Sequence, residues 1–469
     1  MQSTRKHWLA MVLFSVLLLC GAANLRAAAD SLVWHKQQER VDADIHAWPL
    51  PRLLEKVAAA TGWQVYLEPS ASHEVSVKFK DLPSGQALRS LLGDLNFVMI
   101  PETNAPSRLY VFRTSLQQAT RRIRAPAKAD TTATPIPNQI VVTLKPGSKT
   151  KIEDLARMLG AKIIRRMDDK NSYLLQFEDA AATDYARTQL ADNPDVQSTD
   201  SNYAFAPPPN VDFPLDGATP DLQLKPKDND GNCQLVIGMP DTPFQSLGSN
   251  LDAFMKPVIH VAGNYQPPAT QLTHGTAMAE TALKGIQQAM MKSASTNGTA
   301  TSIKIQPVDV YGASETTTTF DVANGIVQAV NNGANVINLS LGGSGDSQFL
   351  HNIIIQVTQQ GIPIYAAAGN EPVTTPTYPA AYPEVVAVTA SDQSGKLADY
   401  ANRGSFIDMI APGDNVVGFN GQSYLVEGTS TSTAIASGLA AGFAYSAGAC
   451  ADQAQSLLQK ALKPASLKP

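Results

Sequence analysis

The chain has 469 residues, with 36 Lys and Arg against 41 Asp and Glu and a formal net charge of −5. That length exceeds one average domain. A mildly acidic balance with 16% charged residues excludes the strongly basic footprint of a nucleic-acid binder.

At the N-terminus, Arg5-Lys6-His7 precedes an apolar stretch from residue 8 to about residue 23, followed by Ala27-Ala28-Ala29-Asp30. This reads as a secretory leader over 1–29 with an A-x-A cleavage site. The apolar stretch is short for a lasting membrane span. An exported chain, periplasmic or secreted, is therefore expected. Loss of the leader leaves two cysteines, Cys233 and Cys450. An even pair in an exported chain suggests a disulfide; two buried free thiols are the alternative.

Residues 31–115 read as a first small α+β domain. Leu53, Leu54, Val57 and Ala58 recur at helical spacing within 50–60. Residues 63–67 and 75–79 alternate as strands. A second helix is expected over 84–92, then strands over 97–100 and 109–112. With Asp81-Leu82-Pro83-Ser84 before its second helix, this order resembles the short N-terminal domain of secretins and TonB-dependent receptors. The resemblance implies protein contact in the envelope; a packing module without a partner is the alternative. Residues 116–137, rich in Ala, Thr and Pro after Arg121-Arg122-Ile123-Arg124, read as a linker.

Residues 138–205 read as a second α+β unit of βαββαβ order. Strands are expected over 139–144, 162–166, 172–177 and 196–205, with helices over 152–159 and 180–190. Gly160 is placed to cap the first helix. Residues 206–232 start with Ala206-Pro207-Pro208-Pro209-Asn210 and read as a second linker. Exposed flexible segments are preferred nicking sites, so maturation cleavage is expected between 206 and 230.

From 233 onward strands and helices alternate, which argues for a parallel sheet with helices on both faces. Strands are expected over 233–239, 302–308, 336–339, at 362 and over 385–388. Helices are expected over 320–332 and 349–359. The first strand ends at Pro240-Asp241-Thr242-Pro243. An acid at the C-terminal end of a parallel strand sits where open α/β sheets place their sites, although an Asx turn would look the same. His274 opens the small-residue run Thr273-His274-Gly275-Thr276-Ala277-Met278-Ala279. His260 lies in an apolar strand, and His351 begins an amphipathic helix. Ile364-Tyr365-Ala366-Ala367-Ala368-Gly369-Asn370 is a strand ending in an asparagine; its amide suits a developing oxyanion, an interaction worth roughly 3 kcal/mol, or an ordinary turn. Ser430, in Gly428-Thr429-Ser430, opens a small-residue helix whose N-terminus stabilises negative charge. A plain N-cap serine would share that pattern.

In combination and in chain order Asp, His, Asn, Ser, these segments resemble the subtilisin-like serine peptidases, or subtilases. Val336-Ile337-Asn338-Leu339-Ser340-Leu341-Gly342-Gly343 resembles the family's substrate-binding strand, and Ala411-Pro412-Gly413 another recurring segment. The sequence departs from the usual pattern at Pro243, where glycine is common, at Ala434, where proline is common, and at Ala277-Met278. The resemblance implies an α/β subtilisin-like fold preceded by two small α+β domains, and catalysis by Asp241, His274, Ser430 and Asn370. Ser340, Leu341, Gly342 and Gly369 would hold the backbone of protein or peptide substrates. Residues 138–205 resemble the inhibitor-type propeptide, with Asp200-Ser201-Asn202-Tyr203 leading toward the site, so the chain's own propeptide is expected to inhibit it. A ferredoxin-like domain of another purpose is the alternative. Without a dense Asp/Asn loop, no metal and no cofactor are expected. Two rival readings remain: a decayed peptidase acting as an envelope binding protein, and a regulator that cuts only its own linker.

Overall fold

A computed structural model describes residues 30–36, 38–68, 71, 73–101, 107–116, 119, 121–123, 133–206, 213–215, 222–229, 233–293 and 298–461. The expected leader lies outside these residues, as does most of both linkers, including part of the expected maturation segment. The chain divides into two units, Met1–Pro126 and Ala127–Pro469.

The first unit runs β1 (Ser31–His35), β2 (Arg40–Pro49), α1 (Leu50–Thr61), β3 (Gln64–Leu67), β4 (Glu74–Pro83), α2 (Ser84–Leu92), β5 (Asn96–Ile100), β6 (Arg108–Phe112) and β7 (Arg121–Ile123). It forms two sheets, β1-β2-β4 and β5-β6-β3-β7. Helix α1 turns Leu53, Leu54, Val57 and Ala58 into a core shared with Leu88, Leu91 and Leu92 of α2. Three elements differ from the expectation. Strand β1 falls where no element is expected. Strand β2 buries Val41, Ala43 and Ile45 in strict alternation, a signal diluted in sequence by the intervening acids. Residues 121–123, read as linker, instead pair antiparallel with β3 because Ile123 is needed in the core.

The second unit opens with β8 (Pro135–Leu144), α3 (Ile152–Met158), β9 (Lys162–Met167), β10 (Ser172–Gln176), α4 (Ala180–Ala191) and β11 (Val196–Phe205). Strand β8 starts three residues inside the expected linker. The four strands lie in the order β11-β8-β10-β9, all antiparallel. One face carries α3 and α4, with Leu155 and Leu190 packed over Ile140, Val142 and Leu175. The other face puts Val141, Met167 and Leu174 into the core of the region that follows.

That region contains β12 (Phe213–Leu215), β13 (Lys225–Pro226), β14 (Val236–Asp241), β15 (Ile259–His260), α5 (His274–Lys292), β16 (Ala300–Thr301), β17 (Lys304–Asp309), β18 (Thr317–Thr318), α6 (Thr319–Asn331), β19 (Val336–Leu339), α7 (Gln348–Thr358), β20 (Ile364–Ala367), β21 (Val386–Ser391), β22 (Met409–Pro412), β23 (Asp414–Phe419), β24 (Gln422–Glu427), α8 (Thr429–Ser446) and α9 (Ala454–Ala461). Strands β12 and β13 fall inside the segment 206–232, which the sequence presents as linker; they pair with β24 and β16. Seven parallel strands make the central sheet, β15-β17-β14-β19-β20-β21-β22.

Its strands are buried on both faces, as parallel sheets require. Successive residues serve opposite cores. Ile237, Ile305, Val336 and Tyr365 pack with α5 and α8, while Val236, Val308, Ile337 and Ile364 pack with α6 and α7. Cys233, ahead of β14, is bonded to Cys450, beyond α8, with Cα atoms 5.2 Å apart.

Candidate active site

Helices α5 and α8 bring the two ends of the site together. Their contact is built from glycines. A Cβ on Gly285 would lie 2.5 Å from the Ile435 carbonyl oxygen, and one on Gly438 would collide with the Ala282 carbonyl. Gly442 in turn sits against Ile286 and Ala289. The backbones therefore touch, and the helices run parallel in register: Ala282 opposite Gly438, Ile286 opposite Gly442. Stepping the same distance back along both helices sets His274 opposite Ser430. Ala434, at the position where proline is common, is fully buried inside an unbroken α8.

Asp241 ends β14 and is fully buried. Its Oδ1 lies 2.7 Å from Nδ1 of His274 and accepts the Thr242 N–H at 2.7 Å. His274 is the first residue of α5, capped by the side chain of Thr273. The Gly275 N–H donates to Thr242 Oγ1 at 2.9 Å, and a Cβ at Gly275 would lie 2.5 Å from the Thr242 carbonyl oxygen. The turn after Asp241 is thus keyed to the start of α5, and only glycine fits between them. Pro243 leaves this link intact.

Ser430 is the second residue of α8, where N–H groups lack intrahelical partners. Its hydroxyl donates to the Ser340 carbonyl at 3.0 Å, and the Ser340 hydroxyl donates to the Ser430 carbonyl at 3.0 Å. Nε2 of His274 is buried without a hydrogen-bond partner. In this conformation, then, the Asp241–His274 link is made and the His274–Ser430 link is not.

Asn370 follows β20 by three residues, and its Oδ1 accepts the Thr429 N–H at 2.8 Å. Its Nδ2 lies 3.2 Å from where a Cβ on Gly428 would stand, which ties the absence of a side chain at 428 to the asparagine. Gly343 exchanges two backbone hydrogen bonds with Tyr378, at 2.9 and 2.7 Å. The Leu341 side chain is buried in the core, which leaves its backbone to serve the expected substrate contact. His260 and His351 pair elsewhere: His260 with Asp309 at 3.4 Å and His351 with Glu384 at 2.8 Å.

The β8–β11 unit reaches this region through its last strand. Ala204 and Phe205 pair antiparallel with Thr318 and Thr317. Phe205 is fully buried, and a Cβ on Gly343 would lie 2.9 Å from its ring. Asp200 Oδ2 accepts the Ser347 hydroxyl and the Phe349 N–H, both at 2.7 Å, at the start of α7. Asn202 Oδ1 accepts the Phe320 N–H at 3.1 Å and the Thr319 hydroxyl at 3.0 Å, at the start of α6. Arg165 pairs with Asp321 at 3.1 Å. Sequence reading flags the Asp200–Tyr203 segment but not the capping of two helices. An acid and an amide two residues apart on one strand are the available signal.

A buried acid lies six residues after His274 on α5. Glu280 accepts the Gly418 N–H at 2.9 Å, and burial pushes its carboxyl from 4.5 up to about 7, against the pull of that hydrogen bond and of Lys284. Between about pH 4.5 and 7 the folded chain keeps a proton that the unfolded chain has released. This contribution to stability is therefore complete below the unfolded value and is lost as pH rises through about 7; it amounts to roughly 3 kcal/mol. Glu280→Gln keeps an acceptor for Gly418 and carries no charge. It is expected to raise Tm at pH 8 and leave it unchanged at pH 4. Parallel Tm curves for the two chains would contradict this.

Comparisons with known proteins bear on the family and the fold. The subtilase family model matches residues 221–461, and the fervidolysin N-terminal prodomain model matches residues 121–202. Subtilisin Savinase of Lederbergia lenta is 36% identical over 170 residues, 36% of this chain and 61% of its own. M-protease of Shouchella clausii (strain KSM-K16) is 36% identical over 170 residues, covering 36% of this chain and 43% of its own. The chain thus spans about half the length of these relatives. The crystal structure of fervidolysin from Fervidobacterium pennivorans covers 68% of this chain and 56% of its own, with a TM-score of 0.50 and 17% identity, a likeness of fold. A family model that spans more than half of the chain, over a subtilisin-like α/β fold and behind a fervidolysin-like prodomain, leads to one conclusion: the chain belongs to the subtilase family.

Proposed function

We propose that the chain is an exported serine endopeptidase made as a self-inhibited precursor. One observation carries this reading: a fully buried carboxylate bonded to His274 at the start of a helix that runs in register with the helix opened by Ser430. Ser430 Oγ would attack a peptide carbonyl carbon while its proton passes to Nε2 of His274. Asp241 would hold the Nδ1–H tautomer and stabilise the imidazolium. The Ser430 N–H and the Asn370 amide would receive the oxyanion. The imidazolium would return its proton to the leaving amine, and water would then release the acyl group by the same steps in reverse order. The backbone of Ser340, Leu341 and Gly342 would pair with the substrate as an added strand, with Gly369 beside it, its own N–H and carbonyl held by Thr429 and Asn402.

The bond from Ser430 to the Ser340 carbonyl and the burial of Phe205 against Gly343 suit a latent precursor. Residues 133–206 would be the inhibitor, and the segment that follows would carry the maturation cut. Export is supported by the leader-like N-terminus and by the Cys233–Cys450 bond. The first unit, with its own core, would serve as a contact module for an envelope protein. No catalytic step of this scheme uses a metal or cofactor.

The test is turnover. After processing, the purified chain is expected to hydrolyse many equivalents of an added denatured protein, and the Ser430→Ala chain is expected to stay uncut and inert. Self-cleavage without turnover would favour the self-cutting regulator; cleavage of the Ser430→Ala chain would assign maturation to another protease.

A further inference from the structure

Asn402 lies in a loop between β21 and β22 and is fully buried. Its Nδ2 donates to the Ala368 carbonyl at 2.8 Å. Its Oδ1 accepts the Glu371 N–H at 2.8 Å. Its own N–H donates to the Gly369 carbonyl at 2.9 Å. One residue thus satisfies backbone groups on both sides of Asn370, beyond the end of β20, where β21 holds only the Ala368 N–H, through the Val388 carbonyl at 2.9 Å, and the Thr377 hydroxyl shares the Ala368 carbonyl at 2.6 Å. Asn402 is itself anchored, since the Thr389 hydroxyl on β21 donates to its carbonyl at 2.6 Å. The fit is close. Gly369 has φ +105°, and a Cβ there would lie 2.5 Å from Nδ2 of Asn402. From the opposite side, Thr429 Oγ1 accepts the Gly369 N–H at 3.1 Å, and the Thr429 N–H holds Asn370 Oδ1.

We propose that Asn402 is a positioning residue: it fixes the 368–371 turn so that the Asn370 amide points at the oxyanion. This rests on the peptidase reading. The task needs a donor and an acceptor on one short, neutral side chain, an inventory that Asn supplies. Oxyanion donors act through placement, and misplacement by about 1 Å costs about 100-fold. Asn402 touches neither substrate nor Ser430, so its effect passes through Asn370.

A double-mutant cycle in the full-length, processed chain tests this. Asn370→Ala is expected to lower kcat by about 10²–10³. Asn402→Ala is expected to lower kcat by about 10–10² with KM within about twofold. The double variant should be no slower than Asn370→Ala alone, because the second change has nothing left to misplace. Losses that multiply, or a rise in KM that matches the fall in kcat, would overturn the proposal and leave only a structural role.

Asn402→Asp provides a second arm if the alanine variant does not fold. It keeps the acceptor for Glu371 but turns a carboxylate toward the Ala368 carbonyl; once protonated, the same group can donate. The ratio of its kcat to that of the parent should therefore climb as pH falls, and a flat ratio counts against the proposal. Failure of the peptidase reading has a different signature: an Asn370→Ala chain as fast as the parent, or a parent with no hydrolysis, removes the oxyanion assignment and this proposal with it.

Discussion

Asp241→Asn is expected to lower kcat by about 10⁴ while the chain still folds. The carboxylate is fully buried, and its Oδ1 receives both the Thr242 N–H and the His274 ring at 2.7 Å. An amide fills the same volume but has two unfavourable settings. With its oxygen toward His274 it buries an amino group at the Oδ2 position, which has no partner. With its amino group toward His274 it forces the proton onto Nε2, the atom that must accept one from Ser430. Either way the charge that stabilises the imidazolium is gone. Neither setting alters how the substrate backbone pairs, so KM should change little. Steady-state kinetics on a peptide substrate would show this. A loss below about tenfold would mean that Asp241 does not orient the base.

The combined change Asp200→Ala and Asn202→Ala is expected to weaken the hold of residues 133–206 on the rest of the unit by about 10²–10³. Asp200 places a charge at the start of α7 and accepts two hydrogen bonds; Asn202 does the same for α6 without the charge. A lost cap costs about 1 kcal/mol, a bond to a charged group about 1.5–3 kcal/mol, and tenfold in affinity is about 1.4 kcal/mol. Both helices belong to the region that carries the site, so the variant should shorten the lag between processing and full activity. The final rate should match that of the parent, because neither residue lies among the proposed catalytic groups. An unchanged lag would locate the inhibitory hold elsewhere, in the Phe205 contact or the β11–β18 pairing.

The site residues stand out in the sequence because each occupies a place that leaves a mark. Asp241 and Asn370 follow apolar runs that are strands. His274 and Ser430 open helices of small residues, and Gly285, Gly438 and Gly442 let those helices approach. Asn402 leaves no mark: in Asp399-Tyr400-Ala401-Asn402-Arg403-Gly404 it looks like a polar turn residue, and the three residues of the turn it holds lie over thirty residues upstream. Strand β7 is equally silent, since one buried isoleucine among arginines reads as linker. The β23–β24 hairpin is a different case. Asn420 and Gly421 both have positive φ, 50° and 75°, and an Asn-Gly pair is a strong hairpin signal. That hairpin is absent from the elements expected above although its signal is present. Prodomain docking is hidden for a further reason, because the partners of Asp200 and Asn202 lie more than one hundred residues away.

The account stands on the coupling of His274 to Ser430, the one link absent from this conformation. Reaction of the processed chain with a fluorophosphonate, followed by peptide mass mapping, measures it most directly. The phosphonyl group should appear on Ser430 alone, with loss of fluoride, and His274→Ala, cut in the 206–232 segment by added active parent enzyme, should abolish the reaction while the Tm stays near that of the parent processed in the same way. Modification that proceeds equally fast without the imidazole, or a folded, processed chain whose Ser430 stays unmodified, would contradict the account.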